Sequence, residues 1–153
     1  MRCVVQRVSR AEVRVDGAIA GRIGPGMVAL VAFASTDGEP ELAWMASKLP
    51  RLRMFNDADG RINLCLAETG GGILLISQFT LYGDCRKGQR PSFSGSAAPD
   101  PARSLYGRFS SLLRSEWDDV AEGVFAAVME VELVNEGPVT LILEREASTV
   151  EGL

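Results

Sequence analysis

The stretch VELVNEGPVTLILE, residues 131–144, is a β-run with an interruption in its middle. Apolar residues typical of strands lie on both sides of the tetrapeptide NEGP at 135–138. Proline donates no ladder hydrogen bond, and glycine weakens a strand interior. Two interpretations stay open: an ordinary hairpin corner, or a cis Gly-Pro corner that is held by its surroundings.

The segments around this stretch predict further strands. β-Branched and apolar runs indicate strands over residues 3–15, 18–23 and 27–34, with an Asp-Gly turn at 16–17. Short strands are expected at 51–55 and 62–68, and longer ones at 73–82, 124–137 and 138–144. Because strands outnumber helices and the helices are separate, the sequence predicts an α+β fold with a mainly antiparallel, barrel-like sheet.

Two helical periods interrupt the strands. The first is a helix between Pro40 and Pro50, with Leu42, Met45, Ala46 and Leu49 on one face. The second covers 101–117, where the apolar positions also recur on a single face. We therefore expect two main helices in one domain, 1–145, followed by a flexible tail, 146–153.

Composition narrows the function classes. The chain has 153 residues, a net charge of −4 and no histidine. Without histidine, Ser-His-Asp triads, Cys-His pairs and most zinc enzymes are excluded, so we expect neither a metal nor a cofactor. The charge argues against a strong nonspecific nucleic-acid binder, and we expect no DNA partner.

The location is predicted from the cysteines and the apolar runs. Cys3, Cys65 and Cys85 show no disulfide or zinc spacing, which favours a reducing cytoplasm. No apolar run approaches the length that spans a bilayer, and the first ten residues do not resemble a signal peptide. We therefore expect a cytoplasmic protein without a membrane partner.

A second break in the β-pattern lies at 77–80. After four apolar residues the chain places Ser77 and Gln78, and a long Gly-, Pro- and Ser-rich loop follows at 83–101. A buried Ser-Gln pair needs hydrogen-bond partners, whereas a strand end would leave Gln78 in solvent. Long loops in compact domains are frequently functional.

Several of these stretches resemble one family. SQFTLYGD at 77–84, RKGQRPSFS at 86–94 and NEGPVT at 135–140 closely resemble the D-aminoacyl-tRNA deacylase family, also called D-tyrosyl-tRNA deacylase. The resemblance extends to VVQRVSRAEVRVDG near the start, to RMFNDADGRINL and to the LYGRF helix. It covers nearly the whole chain up to Glu144.

The resemblance implies a homodimer that hydrolyses the ester between a D-amino acid and the terminal adenosine of tRNA. It assigns a Ser-Gln-x-Thr motif to Ser77, Gln78, Phe79 and Thr80. It also implies a Gly-cis-Pro motif at Gly137-Pro138, which enters the active site of the partner subunit. Achiral glycyl-tRNA is then expected to be a substrate as well.

The chemistry expected for this site uses few titratable groups. Backbone amides around residues 78–80 would stabilise the oxyanion, and the ribose 2′-hydroxyl would assist. Thr80 is either an orienting hydroxyl, which we favour, or a nucleophile. Arg86, Lys87 and Arg90 form a basic group expected to bind tRNA phosphates. The alternatives are a noncatalytic module that binds a tRNA 3′ end or a protein and, less favoured, a metal-dependent hydrolase.

Overall fold

The structure, a computed structural model, describes residues 1–148 and contains eight strands and three helices. The strands are β1 (Arg2–Val15), β2 (Ala18–Ile23), β3 (Gly26–Ala32), β4 (Phe55–Asn56), β5 (Ile62–Leu64), β6 (Gly72–Ser77), β7 (Val120–Glu122) and β8 (Glu130–Glu144). The helices are α1 (Glu39–Lys48), α2 (Leu66–Thr69) and α3 (Pro99–Glu116). The predicted α+β class and the two main helices, α1 and α3, are confirmed.

Strand β1 organises the main sheet. It pairs antiparallel with β3 through its first half, with β2 through its second half, and with β8 along its other edge. The order then continues β3-β6-β7, and both of these pairings are parallel. β4 and β5 form a separate two-stranded hairpin.

The sheet curls into a nearly closed barrel, in which β2 approaches β7. A Cβ on Gly21 of β2 would lie 2.5 Å from the carbonyl oxygen of Glu122 in β7. Only a residue without a side chain allows the two backbones to come this close. The predicted barrel-like sheet is therefore confirmed, with Gly21 at its closure.

Two apolar clusters cover the two faces of the sheet. The inner cluster fills the barrel with residues such as Val13, Val28 and Leu74, all fully buried. The outer cluster lies between the sheet and helices α1 and α3, where Phe33 meets Phe109 edge to face at 6.2 Å. Burial on both faces agrees with the continuous apolar runs of β3 and β6.

Four predicted strands differ from the observed elements, and three of them lie before α3. The strand expected over 73–82 ends at Ser77, because the chain turns at once into a 3₁₀ turn, in which the Leu81 amide bonds to the Gln78 carbonyl. The strand expected over 62–68 stops at Leu64, because the Glu68 carboxylate accepts the Cys65 amide at 2.9 Å and starts α2. The predicted strand at 51–55 shrinks to β4, since residues 49–51 form a 3₁₀ turn.

The strand expected over 124–137 begins only at Glu130. Residues 124–127 form a turn in which Ala126 has φ of +64°, a conformation incompatible with a strand. The short strand β7 was not predicted. Past Gly137-Pro138 the two halves of β8 remain one strand, so a hairpin corner at this point is wrong.

The far end of the chain is described only in part. Residues 149–153, which belong to the predicted tail at 146–153, lie outside the described residues. Within residues 1–148, no helix is both long and apolar enough to cross a membrane.

Two glycine substitutions test the closure of the barrel. Gly21→Ala should destabilise the protein by about 1–3 kcal/mol, since the added methyl overlaps the backbone of Glu122. Gly107→Ala is the matched control, because nothing lies within 4 Å of its added Cβ in α3. There alanine should stabilise by up to about 1 kcal/mol. Urea unfolding measures both, and equal stability of Gly21→Ala and wild type would contradict the close approach.

Candidate active site

The end of strand β6 shapes the Ser-Gln-x-Thr segment. Ser77 is the last residue of β6 and pairs with Val31 of β3. The next amide, of Gln78, donates to the carbonyl of Val31 at 2.7 Å. Phe79–Tyr82 then form a 3₁₀ turn, closed by the Gly83 amide on the Thr80 carbonyl at 2.9 Å. The motif is thus a strand end followed at once by a tight turn.

This turn presents two backbone donors. The first amides of a helical turn have no partner within the turn. Among the described residues, the N–H groups of Phe79 and Thr80 have no acceptor, whereas those of Gln78 and Leu81 are bonded. Three backbone amides are expected to bind the oxyanion together. The Gln78 amide is already bonded to Val31, so only the amides of Phe79 and Thr80 are available for that role.

The side chains of the motif form a short local network. The side-chain carboxamide nitrogen of Gln78, Nε2, donates to the Thr80 hydroxyl oxygen at 2.5 Å. An amide cannot remove a proton from that hydroxyl, so this contact orients Thr80 without activating it. Both Ser77 and Gln78 are half-buried at the strand end, and the expectation of a solvent-facing Gln78 is only partly met.

A cavity of about 610 Å³ lies against this segment. Its walls include Ser77, Gln78 and Phe79, together with β3, the start of α3 and the turn at 125–127, and no lining side chain is charged. Phe79, 57% exposed, meets Phe93 edge to face at 5.2 Å and forms one side of the cavity. Flat apolar walls beside a few polar groups suit a neutral aromatic ligand.

The Gly137-Pro138 bond is cis, as the second interpretation of the sequence expected. The pairing of β1 with β8 passes from Gln6–Thr140 to Val8–Asn135, so residues 136–139 bulge opposite Arg7 alone. The Asn135 carboxamide oxygen accepts the Val139 amide at 3.1 Å and closes the base of this bulge.

Arg7 fixes the bulge from inside. The residue is 5% exposed, and its guanidinium donates to the carbonyl of Glu136 at 3.1 Å. It also donates to the Met54 carbonyl at 3.0 Å and to the Asn56 side chain at 2.9 Å. A planar group with five donors can hold several acceptors at once, so Arg7 ties the bulge to the β4–β5 hairpin.

Glycine is required at position 137. Its φ is +123°, which L side chains rarely adopt. An added Cβ would lie 2.9 Å from the Arg7 guanidinium and 3.1 Å from the Val139 amide nitrogen. Any larger residue would push the corner away from Arg7.

The two motifs do not meet within one chain. Ser77 aligns through Val31 with Cys3 of β1, whereas Gly137 lies opposite Arg7, four residues further along. That offset is about 13 Å along the strand, and three strand spacings add about 14 Å across the sheet. Neither Gly137 nor Pro138 lines the cavity, and both are exposed.

The basic loop is partly neutralised. Arg86 donates to both carboxylate oxygens of Asp84, at 2.9 and 2.6 Å, and this bonding lowers the pKa of Asp84 to about 2. Asp84 also bridges to Ser92 through the backbone, which closes the loop. Lys87 and Arg90 are exposed on it. The loop therefore presents less positive charge than its three basic residues suggest.

Two groups of residues near the site escaped the sequence analysis. Arg7 could have been found by strand period, since it shares with Cys3 and Val5 the face of β1 that packs toward the outer cluster. The turn at 125–127 carried no signal, because VFAAVM is a plain apolar run.

Among residues 1–148, no three Cys, Asp or Glu side chains are grouped to hold a metal ion. Cys3 is buried, which raises the pKa of its thiol.

Comparison with known proteins identifies the family of this chain. A profile of the family described as D-Tyr-tRNA(Tyr) deacylase matches residues 4–144. The chain belongs to this family. A D-aminoacyl-tRNA deacylase from Anaeromyxobacter dehalogenans is 54% identical over 94% of this chain and 97% of its own length. One from Bacillus velezensis is 51% identical over 94% and 98%. The family expected from the motifs is confirmed.

Solved structures show the same D-Tyr-tRNA(Tyr) deacylase fold. A protein titled c-Myc DNA Unwinding Element Binding Protein is 36% identical with a TM-score of 0.90, over 96% of this chain and 100% of that one. A probable eukaryotic D-amino acid tRNA deacylase shares the fold at 22% identity, with a TM-score of 0.79 over 93% and 97%.

Arg7→Met tests the anchoring of the bulge in this deacylase-family chain. The variant keeps the apolar stem but leaves the buried Met54 carbonyl and the partly buried Glu136 carbonyl without their donor. An unsatisfied buried group costs about 1–3 kcal/mol, so we expect a loss of that size from Met54 and a smaller one from Glu136. Arg10→Met on the same strand is the control, because Arg10 makes only exposed ionic contacts, with Glu132 at 2.8 Å. That change should cost less than about 1 kcal/mol. Equal urea midpoints for the two variants would contradict the anchoring.

Proposed function

We propose that this protein hydrolyses the ester between a D-amino acid and the 3′-terminal adenosine of tRNA. The observation that carries the proposal is the pair of unbonded amides at Phe79 and Thr80 beside an uncharged cavity, in a chain of the deacylase family. The cavity would hold the adenosine and the aminoacyl group, and the two amides would bind the oxyanion. A titratable side chain is not needed for that role.

The substrate supplies the remaining chemistry. Water attacks the ester carbonyl, the bond to the ribose oxygen breaks, and that oxygen leaves with a proton. The neighbouring 2′-hydroxyl is held covalently beside the reacting bond, and such neighbours reach very high effective concentrations. This accounts for turnover by a chain without histidine. Thr80, bonded to Gln78, would orient the substrate.

The second part of the proposal is a homodimer in which Gly137-Pro138 of one subunit completes the site of the other. The motifs are separated within one chain, and the Gly-Pro corner is exposed. Its strand carries unusual surface apolar groups, among them Ile142 at 72% exposure and Leu141. Exposed apolar residues on an edge strand are typical of an interface.

Selection of the D-enantiomer would come from this corner. Main-chain carbonyls that bind the substrate α-amino group would fix its α-carbon, and an L side chain would then collide with backbone. Selection by clash rejects one hand without any specific attraction for the other. Glycyl-tRNA, which has no side chain to reject, should therefore be hydrolysed too.

The tRNA itself would be held weakly. Lys87 and Arg90 are the better candidates for phosphate contacts, because Arg86 is already bonded to Asp84. A few such contacts suit an enzyme that acts on many tRNAs. We place the activity in the cytoplasm, where the free thiols Cys3, Cys65 and Cys85 would remain reduced.

A deacylation assay with matched D- and L-tyrosyl-tRNA tests the function. We expect release of D-tyrosine, no comparable release of L-tyrosine, and release of glycine from glycyl-tRNA, all unaffected by a chelator. Binding of the tRNA without release of D-tyrosine would favour a noncatalytic module. Loss of the activity with chelator would favour a metal-dependent hydrolase.

Thr80→Ala distinguishes the two roles of Thr80. Because the Thr80 hydroxyl is hydrogen-bonded to the Gln78 side-chain carboxamide, which is not a base, removing it should leave most of the deacylation rate. Thr80→Ser retains the hydroxyl and serves as control. A rate that collapses in Thr80→Ala but survives in Thr80→Ser, with an acyl group trapped on the serine, would make residue 80 the nucleophile.

Mixed dimers test the shared site. Phe79→Pro removes one oxyanion donor at the first position of the 3₁₀ turn, where proline is tolerated, and Gly137→Val disrupts the corner. We expect each variant to be inactive alone. A heterodimer isolated through two different tags should recover about half the wild-type rate, since one of its two sites is intact. An inactive heterodimer would place both motifs in the same chain's site.

A further inference from the structure

The turn that carries the two free amides is also contacted by β1, at its C-terminal residues Leu81 and Tyr82. The Thr80 carbonyl of this turn accepts the Gly83 amide, and the carbonyls that follow it need donors from elsewhere. The carbonyl of Leu81 accepts a hydrogen bond from a guanidinium nitrogen of Arg2 at 3.0 Å. Arg2 is the first residue of β1 and does not line the cavity beside Phe79.

Arg2 contacts two residues of this turn, the Leu81 carbonyl and the Tyr82 ring. Its guanidinium lies 4.6 Å from the centre of the Tyr82 ring, while its Nε contacts the Glu144 carboxylate at 2.9 Å. Burial of the Tyr82 hydroxyl raises its pKa to about 12, so the ring stays neutral beneath the cation. A delocalised planar cation can stack on an aromatic face and donate in its own plane at the same time.

The anchor of Arg2 is rigid. Its backbone pairs with Ala32 of β3 on one side and with Glu144 of β8 on the other. The turn is thereby attached at both of its ends. The Gln78 amide bonds to the Val31 carbonyl before the turn, and the Arg2 guanidinium bonds to the Leu81 carbonyl near its end. Without the hydrogen bond from Arg2 to Leu81, the turn could rotate about its attachment to β3.

We propose that Arg2 is a positioning residue for deacylation, which holds the 3₁₀ turn so that the amides of Phe79 and Thr80 point at one oxyanion. The inference rests on the proposed function. Oxyanion donors act only at hydrogen-bond distance from the charge that develops, and a displacement of about 1 Å can cost 100-fold in rate. Arg2 acts on the chemical step through Leu81 and Tyr82 and touches no substrate.

Three variants separate this role from a simple surface ion pair. Arg2→Met keeps the length of the stem and loses both the donors and the charge. Arg2→Lys keeps a cation over Tyr82, but its single ammonium cannot reproduce the planar fork. Glu144→Gln is the matched control, because it removes the ion pair and leaves the Arg2–Leu81 hydrogen bond in place.

The measurement is the single-turnover rate of D-tyrosyl-tRNA deacylation at saturating enzyme, with the Kd for the same tRNA measured separately. Arg2→Met should lower the rate about 10- to 100-fold and change Kd by less than about twofold, with Arg2→Lys intermediate and Glu144→Gln near wild type. If Arg2→Met does not fold, Arg2→Lys against Glu144→Gln decides.

The inference is overturned if the Arg2 variants react at the wild-type rate, or if Glu144→Gln slows the reaction as much as they do. It is equally overturned if the variants weaken tRNA binding and leave the rate at saturation unchanged. An inactive wild-type protein would instead refute the proposed function, so the two failures are distinguishable.

Discussion

Strand β1 pairs with β3 along one edge and with β8 along the other, and the rest of the structure depends on this double register. It places the end of β6 level with Cys3, and it places the Gly137-Pro138 bulge level with Arg7. A change of register is costly, because a shift by one residue would exchange the two faces of β1 and remove Cys3 and Val5 from the outer cluster. The positions of both motifs follow from that one alignment.

The two arginines of β1 stabilise what this register leaves irregular. A bulge and a 3₁₀ turn lack the regular partners of a ladder, so their carbonyls need donors from elsewhere. Arg7 supplies donors to Glu136 and Met54, and Arg2 supplies one to Leu81. Both irregular segments are thus attached to the most extensively paired strand of the sheet.

The proposed site, built from backbone groups, would not require a histidine. Amide donors do not titrate near neutral pH, and their direction is set by the chain path rather than by a rotamer. Such a site depends on rigidity more than on the identity of side chains. The uncharged walls of the cavity and the unactivated hydroxyl of Thr80 are consistent with chemistry shared between the protein backbone and the substrate.

The sequence by itself determined the family, the α+β class and the two helices, because the motifs and the 3.6-residue period are local features. It also located both irregular points, since Gly137-Pro138 and Ser77-Gln78 visibly break a β-pattern. Only the tertiary structure decided that the Gln78 amide is bonded to the Val31 carbonyl and that Asp84 pairs with Arg86. It also decided that the two motifs lie far apart in one chain. Those facts depend on contacts between residues distant in sequence, or on the path of a turn, and hydrophobic period and local propensity carry no information about either.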